Sequence, residues 1–239
     1  MGVKSSCMGA TSSERRSMRR TLHDPACKPH DERLIALLAG TTRGLGELGQ
    51  PACTLLAEMR LGIFDHFGWA VAVISSADHQ VVDRRRIELV EPGVTPAPIH
   101  YDGNPFDVAA TEALVATVRA SVARATSAAL DELSAASPEP IVSMALRAWP
   151  LDFPQDIAVQ LRSPFESRAD AIMYRQVLAE AAAARNWEVH LYNARDVEGQ
   201  AIGLLGDRAD DVLHGPRRRL GPPWTKDHRM ALAATIVGG

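Results

Sequence analysis

The sequence predicts an α/β domain: a mixed sheet with three leading strands, then helices and strands in alternation, the helices packed on the sheet. Three observations predict it. Two near-continuous apolar runs, Leu61-Gly62-Ile63-Phe64 and Trp69-Ala70-Val71-Ala72-Val73-Ile74, flank the short turn Asp65-His66-Phe67-Gly68, as expected of strands buried on both faces and tightly joined. Downstream, long stretches with apolar residues at helical spacing alternate with short apolar runs. Alanine is abundant while aromatics are 5% of the chain, a composition that lets helices lie close to a sheet.

The elements follow in order. Strands are expected at about 60–65, 69–76 and 80–90; the third carries Asp83-Arg84-Arg85-Arg86, so it belongs at an edge and the first two at the centre. Glu91 to Pro105 is rich in Pro and Gly and reads as a loop. A helix over about 107–135 is marked by the stripe Leu114, Val115, Val118, Val122 and Leu130 and stopped by Ser137-Pro138-Glu139-Pro140. Ile141 to Leu146 is a fourth strand, and Arg147 to Pro164, with three prolines, an irregular connection. A helix over about 168–185, a fifth strand Glu188–Tyr192, a short helix near 194–205, an irregular Gly-, Pro- and Arg-rich segment 206–223 and a last helix 225–237 complete the chain.

At 239 residues the chain is long enough for one well-buried domain and a tail. Counted through Arg33, the start of the chain holds seven basic residues against four acids, and residues 1–32 show little apolar periodicity. They read as a disordered basic extension, either a solvated tail or a nucleic-acid arm. The main domain is placed at 59–239, and Met59, directly before the first core strand, is an alternative start. Residues 33–58 read as a helix and loop segment. Within it, Leu34-Ile35-Ala36-Leu37-Leu38-Ala39-Gly40-Thr41-Thr42-Arg43-Gly44-Leu45-Gly46-Glu47-Leu48-Gly49 resembles the dinucleotide turn of short-chain dehydrogenases. Pro51 breaks the helix that such a turn must start, and none of Tyr101, Tyr174 and Tyr192 is followed four residues later by lysine. An oxidoreductase is therefore the lesser reading.

A formal charge of −3 gives no global attraction to nucleic acid or an anionic membrane, so such contacts must come from local clusters. No apolar run approaches the roughly 18 to 20 residues that span a bilayer, and the first residues lack the apolar core of a secretory signal; no membrane partner is expected, and cytoplasmic placement is the default. Cys7, Cys27 and Cys53 form no CxxC pair and read as reduced thiols without a zinc site. The histidines show no metal-binding helix signature.

Asp65 leaves the first strand and Asp227 opens the last helix. An aspartate at a strand-end turn either ligates a metal or bonds the turn's own amides; one in a helix's first turn either ligates or favours the helix dipole, with Thr225 as the cap. His66 and His228 adjoin the two acids and suit proton transfer or a softer metal. Arg217, Arg218 and Arg219 with Lys226 and Arg229 form the best local basic patch, suited to phosphates or merely to solvent. Trp224 either stacks on a base or anchors the helix start.

Gly62-Ile63-Phe64-Asp65-His66-Phe67-Gly68, Ala179 to Arg185, Val189 to Val197 and Lys226 to Ala234 together resemble the ribonuclease H-like fold, and within it the RuvC type of Holliday-junction resolvase, over about residues 60–237. The resemblance implies DNA or RNA as partner and possible nuclease activity on paired Mg2+ or Mn2+ ions, held by carboxylates converging from several elements. Asp65 and Asp227 take the places of two such ligands. The chain departs from the family at the fourth strand, which has no acid and ends in Arg147, and at Met230, where a further acid belongs; Asp152, Glu166 and Asp170 are the candidates for a third ligand. A non-catalytic interaction or regulatory protein on the same fold is the competing expectation.

Overall fold

The computed structural model describes residues 58–100 and 107–239; the expectations for residues 1–57, including the basic extension, the glycine-rich segment and the three cysteines, lie outside the described residues. Five strands form one mixed sheet in the order β3-β2-β1-β4-β5: β1 Met59–Asp65, β2 Trp69–Ser76, β3 Val81–Glu88, β4 Ile141–Arg147 and β5 Glu188–Tyr192. β1 and β2 pair antiparallel at the centre, with Ile63 opposite Ala72. β3 adds antiparallel at the edge, while β4 and β5 add in parallel on the other side. This is the ribonuclease H-like arrangement expected from the order of elements. The hairpin closes where His66 N–H donates to Trp69 O at 2.8 Å, and Gly68 takes the left-handed φ of 81° that glycine adopts most readily.

Both faces of the sheet are covered, which explains the continuous apolar runs. Leu61 and Ile63 of β1, Ala72 and Ile74 of β2, and Met144 and Leu146 of β4 face α1 (Val108–Ala136) and α3 (Glu166–Ala183). The alternate residues Val71, Val73 and Ala145 face α4 (Val197–Leu205), α5 (Ala209–Leu220) and α6 (Lys226–Val237). The period-two division along each strand assigns its residues to one core or the other. Against β1 the last helix approaches so closely that a Cβ on Gly62 would stand 1.9 Å from the Ala231 carbonyl oxygen. Buried Ser75 and Thr235 hydroxyls meet at 2.7 Å between β2 and α6, satisfying two polar groups in the same contact.

Element positions follow the sequence reading, with two additions. The proline-rich connection holds a one-turn helix, α2 (Ile157–Gln160), whose start is capped by Asp156 Oδ1 accepting from Ala158 N–H at 2.8 Å. More substantially, residues 209–220 are helical where an irregular segment was expected. Val212, Leu213 and Pro216 fall on one buried face, and that apolar face holds the helix despite the proline. Arg84 of β3 closes its end: Nη2 donates to Leu220 O and Gly221 O, each at 3.0 Å, and Nε to Pro223 O at 3.0 Å, meeting carbonyls that a helix C-terminus leaves unpaired. No described helix is long and apolar enough to cross a membrane.

Candidate functional site

The carboxyl ends of β1 and β4 lie side by side, because their parallel pairing sets Gly62 against Ala145. β1 ends in Asp65, only 1% exposed; β4 ends in Arg147. The Arg147 guanidinium forks onto the carboxylate, Nε to Oδ1 at 2.7 Å and Nη2 to Oδ2 at 2.7 Å, and Nη2 also donates to the Asp65 backbone oxygen. Arg175, reaching over from α3, donates from Nε to Oδ2 at 3.0 Å. A buried carboxylate needs such partners, and planar guanidinium groups meet it with two parallel bonds. Burial alone would lower the pKa of Arg147, but the hydrogen bonds and charge of Asp65 outweigh it and raise it. Nearby, Tyr192 donates to Ile63 O at 2.8 Å; burial, then the negative charge of Asp65, hold its pKa above the ordinary value.

Asp227 stands at the same end of the sheet, since its charge and that of Asp65 both act on Arg147 and Tyr192. Its environment is different. With 27% of its side chain exposed, it lies 3.0 Å from His66 Nε2. The His66 ring stacks on Trp69 at 4.0 Å, and the Arg86 guanidinium lies 4.2 Å from the Trp69 ring centre. His228 is buried and turned to the helix start: its Nδ1 accepts from Thr225 N–H at 3.2 Å and lies 2.9 Å from Thr225 Oγ1. Burial, then the charge of Arg84, lower its pKa, as suits a neutral capping imidazole. Trp224 donates to Leu213 O at 2.8 Å, anchoring the start of α6 on α5.

Two of the three candidates for a third acid are engaged elsewhere, and the other, Asp152, is simply exposed. Glu166 Oε1 lies 2.8 Å from His100 Nδ1. Asp170 accepts from the amides of Ile99 at 3.1 Å and His100 at 2.9 Å; burial pushes its carboxyl up to about 6 although both amides pull it down. In the basic patch, Arg217, Arg218 and Arg219 are exposed on the last turn of α5 and Lys226 is exposed on α6. Arg218 and Arg219 come within 3.7 and 3.6 Å of Asp211, while Arg229 binds Glu198 at 3.0 Å and ties α6 to α4.

As placed here, these residues do not fit a resident Mg2+ or Mn2+. Such ions take oxygen ligands, yet both oxygens of Asp65 are already held by guanidinium groups, whose positive charge opposes a second cation. Among the described residues no group of three or more His, Cys, Asp and Glu could hold a metal ion. Arg147 is the residue whose part the sequence reading missed. Its signal was present: a cation ending the strand parallel to one that ends in an acid. Arg175 gave no such signal, because its reach to Asp65 depends on how α3 packs.

No family model matches the chain, and no curated protein matches it. Among solved structures, T. thermophilus RuvC in complex with a Holliday junction substrate is similar at 12% identity and a TM-score of 0.39, over 75% of this chain and 90% of that one. A further Thermus thermophilus RuvC structure is similar at 10% identity and a TM-score of 0.41, over 74% of this chain and 90% of that one. At that distance the functional reading rests on this chain's own side chains.

Proposed function

We propose that the protein binds DNA or RNA through the phosphate backbone and does not cut it. The observation that carries this reading is the buried Asp65 carboxylate clamped by Arg147 and Arg175. Where a two-metal nuclease needs converging negative charge to collect its ions, here two guanidinium groups stand against the one Asp65 carboxylate, an excess of positive charge that suits a phosphate better than a cation. The exposed Arg217, Arg218 and Arg219 with Lys226 supply further contacts toward the Asp227 side. His66 and Asp227 hold the hairpin turn to the start of α6 in this reading, and His228 serves the helix cap.

The test combines binding, metal titration and cleavage. Labelled single-stranded, duplex and branched DNA and single-stranded RNA are titrated with the full chain from about 50 to 200 mM salt, where phosphate contacts weaken steeply. Manganese is titrated by calorimetry, and each substrate is incubated with Mg2+ and Mn2+. We expect salt-sensitive binding, no saturable manganese heat and intact substrates. Metal-dependent cleavage by wild type that Asp65→Asn abolishes would overturn the non-cutting part, and absence of binding at low salt would overturn the nucleic-acid part.

A further inference from the structure

Beside the Asp65 clamp, the ends of β4 and β5 and the first half of α3 enclose a cleft of about 630 Å³, within the range of small-ligand sites. Arg147, Arg168, Arg175 and Arg195 line it, and no Asp or Glu does. Arg147 and Arg175 share the single negative charge of Asp65. Arg168 and Arg195 are exposed, and among the described residues their side chains have neither an ion-pair nor a hydrogen-bond partner. Four guanidinium groups delivered from three separate chain segments to one cavity differ from a charge run along a solvated helix face, where a single segment supplies every charge. Trp149, half-buried in the same wall, adds an aromatic surface on which a base can stack.

The charge matches a particular kind of phosphate. A diester within a strand carries one negative charge, whereas a terminal phosphate carries about −1.5 to −2 at pH 7 and presents three acceptor oxygens. Two unpaired guanidinium groups can each meet such a group with paired donors. We infer that this cleft binds the terminal phosphate of a nucleotide unit, with its base against Trp149. The unit is a free nucleoside polyphosphate or the 5′-phosphorylated end of a strand. The strand-end form rests on the nucleic-acid reading above; the free-nucleotide form does not.

Calorimetry on the full chain tests this with four probes: inorganic pyrophosphate, adenosine triphosphate, and one short single-stranded oligonucleotide with either a 5′-phosphate or a 5′-hydroxyl. We expect saturable binding of pyrophosphate, and tighter binding of the triphosphate or of the phosphorylated oligonucleotide. Each of Arg168→Ala and Arg195→Ala should weaken that binding about tenfold, the size of one charged hydrogen-bond contact, and together they should abolish it. Both side chains are exposed, so circular dichroism of the variants should match wild type. Preference for the phosphorylated over the hydroxyl strand identifies the strand end as ligand; triphosphate binding without that preference identifies the free nucleotide. If both strands bind equally while pyrophosphate and triphosphate do not bind, the cleft inference falls and backbone binding stands. If the double variant binds every probe as wild type does, the cleft is not the site.

Discussion

Asp65 and Asp227 are two carboxylates at one end of one sheet, and they live under different rules. Asp65 is 1% exposed and is matched by two arginines, Arg147 and Arg175. Asp227 keeps 27% of its side chain in solvent and pairs with His66 at 3.0 Å. The difference teaches that burial, more than position in a motif, sets what an acid can do. A carboxylate without water must be neutralised by its surroundings, and once arginines have done so it is no longer available to a cation. The half-exposed acid is left with weaker obligations.

The comparison can be broken at its stronger side first. Asp65→Asn leaves two part-buried guanidinium groups facing an amide and should destabilise the protein by about 3–5 kcal/mol, read from urea unfolding midpoints. Adding Arg147→Met should recover part of that loss, since replacing a buried pair by apolar groups is far less harmful than halving it. A loss below about 1 kcal/mol for Asp65→Asn would show that the clamp contributes no more than a surface pair does.

Asp170 sharpens the comparison, being a buried acid held by amides instead of arginines. Its pKa is raised to about 6, by burial first. The fold therefore favours the protonated form, and that contribution is complete below the ordinary carboxylate range and lost as pH rises through about 6. Relative to Asp170→Asn, wild type should lose on the order of 2 kcal/mol between about pH 4 and 6 and run parallel above. Chemical unfolding across that range checks it; parallel curves throughout would contradict it.

Smaller effects lie on the Asp227 side. Arg84→Ala, which removes donors from the carbonyls ending α5, should cost about 1 kcal/mol and shift the melting temperature accordingly. Asp227→Asn should cost below about 1 kcal/mol, because its pair with His66 is partly solvated. A loss as large as that of Asp65→Asn would erase the distinction between the two acids.

Much of this fold was legible in the sequence because its central strands are apolar on both faces and its turns are marked by glycine and proline. α5 was not legible in the same way: Gly215, Pro216 and three arginines suggest a break, and only the burial of Val212, Leu213 and Pro216 against the sheet side makes a helix of them. At the site, the place of Asp65 was readable from strand and turn. Its partner Arg147 was visible only as a departure from an expected acid, since a one-dimensional pattern shows which charge is missing and not which charge has come to lie beside it.

The close seat of α6 on β1 has a further consequence for how this site can change over evolutionary time. Gly62 meets the Ala231 backbone; Asp65 lies one short step along the strand from that contact, and Asp227 one helical turn back from it. The spacing between the two acids is thus fixed by main chain against main chain, like two marks on one ruler. Exchanges of side chain at 147 or 175 change the charge that faces Asp65 while leaving this main-chain contact, and so the ruler, untouched. A bulkier residue at 62 would move the marks themselves.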